Sequence, residues 1–552
     1  MPILSNSQYF SLAAIALSVI LLKRCLSRKK SIGIMNVPSP KSFSWVAGNF
    51  RQVFNPAAWG FHEFLAREYG SVVRIHGPFG TNHIYTFDPE AMYHVLLKEA
   101  NVFEESDGFI EGNRLIFGGG LLGSLGYDHR RQRKMLNPVF SVAHMRDMTP
   151  TFFEVTHKLE NALGKQLQNG SRTQQIDILS WMGRTALEII GQAGLGYSFD
   201  PLSDEESAHP YSQMIKELFP ALMRVQFWRI NILPRVVWIG TPHFRRFVVN
   251  ILPWKDLHHI RDMVDYMWDV AEGIYENKKH AFDKGDELVA QQIGRGKDII
   301  SLLMRENMKA LNEDKLRDTE VISQMNTFIF AAMDTTSSAM ARLLDLLSRH
   351  PDVQEKLRQE INEAKHQNGG QDLSYDELNA LAYLDAVCRE TFRLFPPVST
   401  NVRVAHRDAV VPLQKPVIGL DGTEMHEVIV PKGTTVLMSI VNANRNPELW
   451  GKDAKEWKPE RWLSPLPDAL VNARIPGIYS HLMTFIGGGR SCIGFKFSEL
   501  EMKVVISTLV EKFIFSPSIE ESEISWQMNI VAAPFIGRDE HPQLPINISL
   551  VN

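Results

Sequence analysis

The spacing of apolar residues along the chain predicts a body that is mostly helical. In five segments apolar residues recur every three or four positions, as they do on one face of a helix. These segments are Trp59–Glu68, Ala91–Lys98, Met263–Asn277, Asp318–Arg349 and Val353–Lys365. Short runs rich in β-branched residues and bounded by turn-forming residues predict a few strands. These runs are Val72–Ile75, His83–Phe87, a stretch around Val402–Val411, and Val428–Met438.

The body shows no sign of division into several domains. No fixed repeat period or long Ser/Gly linker interrupts it, and the polar stretch Lys284–Lys297 is predicted to be a surface loop. Length does not decide the matter, because 552 residues could bury several cores or form one large domain. The sequence therefore predicts a single domain over residues 51–552, mainly α with small β-sheets (α+β).

The N-terminal segment has the pattern of a membrane anchor. Residues 1–22 carry no charged side chain, and Tyr9–Leu22 is almost entirely apolar. About 20 such residues cross the ~30 Å hydrocarbon layer of a bilayer. A cleaved signal peptide has positive charge before its apolar run, whereas here Lys23, Arg24, Arg28, Lys29 and Lys30 follow the run. We expect a retained single-pass helix within residues 1–30, with the rest of the chain on the cytoplasmic side. An interfacial helix is the alternative, because the strictly apolar run is short.

Two further segments concern how the body meets such a membrane. Residues 31–50 contain Pro38 and Pro40 and are expected to form a stiff, non-helical hinge. The region Leu218–Trp254 combines many aromatic side chains with many arginines. These aromatic residues could be ordinary core residues beside solvated arginines, or they could form a surface that enters an anionic membrane interface.

Composition and charge narrow the function classes. Apolar residues make up 44% and charged residues 22% of the chain, so most of it is expected to fold. The net charge of -4 and the lack of a basic run with interleaved aromatics argue against nucleic-acid binding. Only Cys25, Cys388 and Cys492 are present, which cannot form the disulfide framework of a secreted domain and indicates a reducing compartment. Any metal chemistry must rest on a lone ligand.

The sequence FIGGGRSCIG, from Phe485 to Gly494, places Cys492 in a glycine-rich loop before a helical stretch at Phe497–Glu511. Glycines let the backbone approach a flat partner, and a helix start favours the thiolate form of a cysteine. A lone cysteine after glycines is more often a buried structural thiol. The pattern Phe-x-x-Gly-x-Arg-x-Cys-x-Gly is nevertheless complete, and it resembles the heme-ligand signature of the cytochrome P-450 family. Its fixed positions are Phe485, Gly488, Arg490, Cys492 and Gly494.

Motifs in the order that this resemblance implies lie upstream. Glu390 and Arg393 are an i, i+3 pair on one helical face, which alone would be a common surface pair. Together with Arg461 in the sequence KPERW, they resemble the Glu-Arg-Arg cluster of the family, whose role is structural. Removing one charge of such a buried cluster should cost about 3 to 5 kcal/mol.

Asp334 and Thr335 lie in an apolar stretch of the predicted helix Asp318–Arg349, with no neighbouring basic residue in the sequence. Threonine hydroxyls in such helices commonly bond to the backbone one turn back. The segment also resembles the oxygen-activating helix of the family, which implies that this acid and alcohol deliver protons to dioxygen at the heme iron. The chain departs from the family pattern at Ala332, where glycine is usual.

The resemblance implies heme b as cofactor, with Cys492 as the axial thiolate ligand of its iron. It assigns Arg133, Arg403 and Arg490 to the heme propionates. His129 stands where the family usually has tryptophan. This histidine either donates a hydrogen bond to a propionate or is a solvated helix residue.

The family chemistry implies a monooxygenase that inserts one oxygen atom from O2 into a C–H or C=C bond. The stretch after Gly494 is too short for a flavin or nicotinamide domain, so electrons from NADPH are expected through a separate, membrane-bound reductase. Its docking surface is expected at Arg130, Arg131, Arg133 and Lys134. The expected substrate-facing segments are mostly apolar, which favours a lipophilic substrate of terpenoid, steroid or polyketide type. These segments are Phe103–Leu125, Phe328–Ala332, Val398–Val402 and Ile530–Phe535.

The branch of the family is suggested by the leader with Pro38 and Pro40 and by the segment HRRQRK, which resemble fungal microsomal members. This resemblance implies the endoplasmic reticulum and terpenoid-type secondary metabolism. Two rival functions keep the Cys492 loop: a heme-thiolate isomerase or dehydratase that needs no reductase, and a non-catalytic heme-binding protein on the same fold. Asp334 and Thr335 argue against the first rival, and NADPH-dependent turnover would exclude the second.

Overall fold

Helices form most of the part of the chain that the structure describes. The structure is a computed structural model that describes residues 32–168, 173–203, 209–285, 291–539 and 541–551. The anchor expected in residues 1–30 lies outside these ranges. Among the helices that are described, none has both the length and the apolar character needed to cross a membrane.

The α-helices are named in chain order. In the first half of the chain they are α1 (Phe50–Val53), α2 (Trp59–Tyr69), α3 (Pro89–Tyr93), α4 (Asp107–Phe117), α5 (Gly126–Leu136), α6 (Val142–Gln168), α7 (Ile178–Ile189), α8 (Pro210–Arg224), α9 (Gln226–Asn231), α10 (Leu233–Val236), α11 (Pro242–Ile251) and α12 (Lys255–Lys284). In the second half they are α13 (Ile299–Lys309), α14 (Asp318–Arg349), α15 (Pro351–Gln367), α16 (Tyr375–Ala380), α17 (Ala382–Leu394), α18 (Ile440–Asn444), α19 (Pro447–Trp450), α20 (Asp468–Val471) and α21 (Phe495–Lys512).

Short strands pair into small sheets at the periphery of the helices. The strands are β1 (Val72–His76), β2 (Asn82–Thr86), β3 (Phe103–Glu104), β4 (Thr173–Asp177), β5 (Thr400–Ala405), β6 (Ala409–Ile418), β7 (Glu424–Val430), β8 (Thr435–Ser439), β9 (Phe513–Pro517), β10 (Ile524–Gln527), β11 (Ala533–Ile536) and β12 (Pro545–Leu550). The largest sheet has the order β1-β2-β8-β5-β3, in which only β2 and β8 run parallel. A three-stranded sheet has the order β4-β12-β9, and β6-β7 and β10-β11 form hairpins.

The long helix α14 runs through the centre of the helical core. All its residues from Val321 to Ile329 are buried, and it packs against α7, α12 and α21. At its start the Glu320 carboxylate accepts a hydrogen bond from the Arg317 backbone N–H at 2.9 Å. It ends at Arg349 because Pro351 follows and disfavours helical geometry at the residue before it. Its residues therefore have fixed positions deep in the molecule.

Two hydrophobic cores meet at the loop that carries Cys492. One core lies among the helices and includes Phe485, and the other lies against the five-stranded sheet and includes Met483. Ile486, between the glycines and Phe485, is partly buried against the sheet core. The loop therefore lies at the boundary between the two cores.

The helices were predicted well, and two of the strands were not. The prediction for Asp318–Arg349 is confirmed at both ends, and the predicted helix Met263–Asn277 is the middle of the longer α12. The single strand predicted around Val402–Val411 is wrong, because β5 and β6 are separate strands. Val428–Met438 is likewise two strands, since Pro431 has no N–H to donate and Gly433 adopts a positive φ of 86°.

The predicted hinge over residues 31–50 packs partly into the body. Ile34 and Val37 are almost completely buried in the sheet core. The carbonyl oxygen of Pro38 accepts a hydrogen bond from the Arg74 backbone N–H at 2.8 Å. This segment is therefore bound to β1 through Pro38 and to the sheet core through Ile34 and Val37.

Candidate active site

The loop from Phe485 to Gly494 depends on two glycines. A Cβ atom on Gly487 would lie 1.5 Å from the carbonyl oxygen of Pro476, and one on Gly488 would lie 2.2 Å from that of Leu96. Gly488 also has a positive φ of 75°. The Phe485 ring packs 5.1 Å from that of Phe392 on α17, and its carbonyl accepts the Cys492 N–H at 3.0 Å. These contacts fix Cys492 just ahead of α21, with Gly494 as the residue before the helix.

The Cys492 side chain is accessible to water, although protein atoms surround its thiol closely enough to desolvate it. Water access combined with burial is expected of a thiol that faces an internal opening. Burial raises the pKa of this thiol, while a hydrogen bond from the Gly494 N–H and the Arg133 cation lower it. Cys388, which the sequence also contains, is buried in the core with its pKa raised by burial. Of the two cysteines in the described ranges, Cys492 is therefore the one that is placed to bind a ligand.

Three predicted cationic residues gather near this loop. Arg403 is almost completely buried, and its Nη1 lies 2.7 Å from a carboxylate oxygen of Glu105. Its Nη2 is buried and makes no hydrogen bond within the described part of the chain. Arg490 donates to the carbonyl oxygens of Leu121 at 3.1 Å and Ser124 at 2.6 Å. Arg403 thus has a donor left for an acidic group, and Arg490 fixes the loop before α5.

The third of these residues, Arg133, makes contacts that the sequence did not indicate. Its Nη1 donates to the Ser491 carbonyl oxygen at 2.5 Å, and its Nη2 donates to the Ser491 hydroxyl at 3.2 Å. Arg133 therefore braces the residue just before Cys492. A cleft of about 550 Å³ opens beside it. The cleft is lined by His129, Arg130, Arg133, Lys134, Asn137, Pro138 and Gly489.

His129 is buried, so the interpretation as a solvated helix residue is wrong. Burial, together with the cations of Arg490, Arg133, Arg130 and Arg403, lowers its pKa to about 3. The imidazole is therefore neutral at physiological pH and can donate one N–H. These cations meet around one histidine, and together they form a positive environment that fits the two acid groups of a heme.

Asp334 and Thr335 lie where α14 faces an internal opening. They and Ala331 and Ala332 keep some access to water, although the preceding turns are buried. The Thr335 hydroxyl donates to the Ala331 carbonyl oxygen at 2.7 Å, as threonines in helices commonly do. The next residue, Thr336, lies 3.2 Å from the hydroxyl of Ser498 on α21, measured between the two oxygens. This contact brings the segment close to the start of the helix that follows Cys492.

Burial raises the pKa of the Asp334 carboxyl to about 7, and the nearby Lys216 ammonium opposes this rise. Asp334 therefore has a basic neighbour in space, although none lies near it in the sequence. Lys216 belongs to α8, more than a hundred positions away in the sequence, so the local pattern could not reveal it. Burial lowers the pKa of Lys216 itself. A carboxyl group with a pKa near 7 can both hold and release a proton at neutral pH.

The structure brings Glu390, Arg393 and Arg461 together. The Glu390 carboxylate accepts from Arg393 Nε at 2.8 Å and Nη2 at 2.7 Å, and Arg461 Nε lies 3.4 Å from it. It also accepts the Lys458 backbone N–H and the Trp462 indole N–H, each at 3.0 Å. Arg393 donates further to the backbone carbonyls of Asn444, Ala454 and Glu456. The cluster therefore joins α17 to the irregular segment that leads to the Cys492 loop.

Aromatic side chains form a wall beside the Asp334 segment of α14. The Phe330 ring lies 4.3 Å from that of Phe117 on α4 and 4.6 Å from that of Phe219 on α8, measured between centroids. Phe117 and Phe330 belong to predicted substrate-facing segments. Phe219 and Lys216 lie outside these segments and approach the site only through the tertiary fold. Glu105 lies in the segment Phe103–Leu125, but its ion pair with Arg403 was not predicted.

Comparisons with known proteins agree with this geometry. A sequence model described as Cytochrome P-450 matches residues 38–534. The chain is 48% identical over 515 residues to cytochrome P-450 monooxygenase 91 of Postia placenta, covering 93% of this chain and 94% of the relative. It is 47% identical over 531 residues to cytochrome P-450 monooxygenase 212 of the same fungus, covering 96% of each. It is 43% identical over 516 residues to a ganoderic acid synthetase of Ganoderma lucidum, covering 93% of each.

Proposed function

The chain belongs to the cytochrome P-450 family of monooxygenases, and we propose that it hydroxylates or epoxidises a lipophilic small molecule. The proposal includes O2 as the oxidant and electrons from NADPH through a separate reductase. The observation that carries it is the placement of Cys492: a thiol in a glycine loop, facing an internal opening, with cationic residues and an α14 acid nearby.

The residues present fit a heme. Cys492 would bind the iron, and the unpaired Nη2 of Arg403 together with Arg490 and the neutral His129 would hold the propionates. Arg133 would keep Ser491, and with it Cys492, in place. When bound, a thiolate-ligated heme supplies the activation of dioxygen.

The chain's own contribution to proton transfer centres on Asp334. Because burial brings its pKa to about 7, the carboxyl holds a proton in a large fraction of molecules at neutral pH. Lys216 limits this rise, so that the proton can still be released. The Thr335 hydroxyl lies beside it but donates to Ala331, and it must rotate or accept a hydrogen bond to pass a proton on.

A lipophilic substrate of terpenoid type is supported by the aromatic wall of Phe117, Phe219 and Phe330. Such side chains exclude water and favour an apolar ligand. One relative carries a name that refers to ganoderic acid, which connects that protein to terpenoids. We therefore propose a terpenoid-type substrate in fungal secondary metabolism.

A reductase docking surface is proposed on α5, and it contains fewer of the basic residues than the sequence predicted. Arg130 and Lys134 are exposed one turn apart and lie at the cleft beside Gly489. Arg131 is not part of this surface, since its buried side chain forms an ion pair with Glu320 at 2.5 Å. Arg130 and Lys134 are left as the exposed cations that an acidic partner could reach, and Lys134 would have to exchange its exposed ion pair with Asp314 for the partner.

Membrane association at the endoplasmic reticulum, with the domain facing the cytoplasm, remains part of the proposal. The support comes from the apolar N-terminal segment and from α9 to α11, where several large apolar side chains are exposed. They are Phe227, Trp228, Ile230, Trp238, Ile239, Phe244, Phe247 and Ile251. Exposed side chains of this kind beside arginines suit an anionic bilayer surface.

The test of the proposed function begins with the carbon monoxide difference spectrum of the reduced protein. We expect the thiolate-type band in the wild type and its loss in Cys492→Ala. Incubation with NADPH, a reductase and terpenoid substrates should then give oxygenated products. Product formation without reductase or NADPH would instead support an isomerase or dehydratase. A thiolate band that persists in Cys492→Ala would contradict the assignment of the ligand.

A further inference from the structure

Aromatic rings and guanidinium groups alternate in a stack that joins α14, the end of α17 and the β10–β11 hairpin. The Arg342 guanidinium carbon lies 3.8 Å from the centroid of the Trp526 ring and 4.1 Å from that of Phe395. Phe395 also lies 5.4 Å from the guanidinium carbon of Arg445, which is 5.6 Å from the Trp59 ring. The order is therefore Trp526, Arg342, Phe395, Arg445, Trp59.

Arg342 has few partners other than these rings. Its Nε is buried without a hydrogen-bond partner in the described part of the chain, and its nearest carboxylate oxygen, on Asp345, lies 3.6 Å away. Burial lowers its pKa to about 9, so the side chain remains cationic at neutral pH. A cation held against aromatic faces away from water is attracted to them more strongly than one at an exposed site. The position of Trp526 and that of Arg342 therefore depend strongly on each other.

The hairpin held by this stack borders the Asp334 segment. At its tip, residues 528–532, the Ala532 carbonyl oxygen accepts from the Ser338 hydroxyl at 2.6 Å. Ser338 lies one turn after Asp334 on α14. The Ala532 N–H donates to the Pro397 carbonyl oxygen at 2.8 Å, just ahead of the strand that carries Arg403. Trp526 lies two residues before this tip, and the Trp59 indole N–H donates to its carbonyl oxygen at 2.5 Å.

We propose that Arg342, Phe395 and Trp526 are positioning residues. They hold the loop 528–532 at the internal opening that Asp334 and Thr335 face on α14, which is called the ligand space below. Through that loop they set how well a bulky apolar ligand is bound beside the Asp334 segment of α14. The inference rests on the proposed function, since the ligand space is measured in the heme-loaded enzyme. These three side chains affect which ligands bind, although none of them contacts the ligand.

The test compares two iron-binding azoles on the heme-loaded full chain. Clotrimazole is bulky and would contact the loop 528–532, whereas imidazole is too small to reach this loop. In Trp526→Leu and Arg342→Gln we expect clotrimazole affinity to fall at least about threefold, because the ligand must order a loosened loop. Imidazole affinity should stay unchanged. Trp526→Phe is the matched control: it keeps an aromatic face, and the indole N–H that it removes has no partner in the described residues.

The outcomes distinguish a role of the stack in ligand binding from a role in the stability of the fold alone. Wild-type clotrimazole affinity in Trp526→Leu, or an equal loss for both azoles, would show that the stack only stabilises the fold. If Trp526→Leu does not fold, hydrogen exchange on the wild type replaces it. Clotrimazole, and not imidazole, should then slow exchange in residues 528–536, and equal exchange with the two azoles would overturn the proposal. A wild-type protein without the thiolate band would instead contradict the proposed function itself.

Discussion

The Lys216 ammonium on α8 interacts electrostatically with the Asp334 carboxyl on α14, and it limits the rise that burial imposes on the pKa of the acid. Lys216 lies on α8, the helix that carries Phe219 of the aromatic wall. Asp334 is the acid best placed to hold and release a proton. Their interaction is a long-range relationship between two groups whose ionisation states depend on each other.

Lys216→Met should move the pH dependence of turnover. Without the ammonium, the pKa of Asp334 should rise above about 7, because burial is then unopposed. If the protonated acid is the active form, turnover will fall at higher pH than in the wild type. The measurement is reductase-supported product formation across pH 6 to 9, in steps of about half a unit. Lys216→Arg keeps the charge and should retain the wild-type profile; identical profiles in the Met and Arg variants would contradict the coupling.

Asp334→Asn should change how stability depends on pH. Burial raises the pKa of Asp334 from 3.8 to about 7, so the folded protein binds a proton there that the unfolded chain has lost in this range. The stabilisation from that proton is complete below pH 3.8 and is lost as pH rises to 7. Relative to Asp334→Asn, the wild type should therefore lose stability between these values. Thermal unfolding midpoints of the two proteins at matched pH would measure this, and a constant difference across the range would contradict it.

Glu390→Gln should destabilise the protein by about 3 to 5 kcal/mol, because the buried Arg393 guanidinium loses its counter-charge. Arg461 keeps a second carboxylate partner, Asp453, at 2.8 Å. Neither Glu390 nor Arg393 is exposed to solvent. The change in the free energy of unfolding can be measured in urea, with heme retention followed in parallel. Glu448→Gln is the matched control, because the Glu448–Lys415 pair is more than half exposed and should contribute little. Equal effects of the two substitutions would rule out a special role for the buried cluster.

Arg130→Glu should slow the transfer of electrons from the reductase to this enzyme by about tenfold at low salt. The reason is that charges which attract a partner act mainly on the rate at which the two proteins meet. Heme content should not change, because the residue is exposed. Stopped-flow reduction kinetics at several salt concentrations provide the measurement. Lys415→Glu, at another exposed cation, should leave the rate unaltered. A reduction rate independent of Arg130 and of salt would place the docking surface elsewhere.

Removal of residues 1–30 should weaken but not abolish binding to anionic vesicles, because the apolar side chains of α9 to α11 remain. Adding Trp238→Ser and Phe247→Ser, whose side chains are 69% and 59% exposed, should remove most of the rest. Cosedimentation with vesicles that contain phosphatidylserine measures both steps. Leu420→Ser is the control, at a side chain that is 63% exposed on the β6–β7 hairpin connection. Unchanged binding after the double substitution would exclude these helices from the contact.

Local patterns in the sequence revealed the parts of the site that are continuous in the chain. The glycine loop of Cys492, the helix of Asp334 and the Glu390–Arg393 pair each follow from a spacing of a few residues. Lys216 was missed because nothing near it in sequence marks it. Glu105 and Phe219 lie in segments that the sequence singled out, but their contacts with Arg403 and Phe330 arise only from the packing of β3 beside β5 and of α8 beside α14. Arg131 shows the opposite error: its sequence context suggests a docking cation, whereas Glu320 binds it in the interior.

The burial of Ile34 has a consequence for how freely the domain can move. An anchor that ends at Lys30 would be joined to this fixed point by only Ser31, Ile32 and Gly33, and the last two already lie in a 3-10 helix that ends at Ile34. Such a short tether would hold the domain against the bilayer and leave it free to rock but not to drift away. The search for a reductase on the same membrane would then take place in two dimensions.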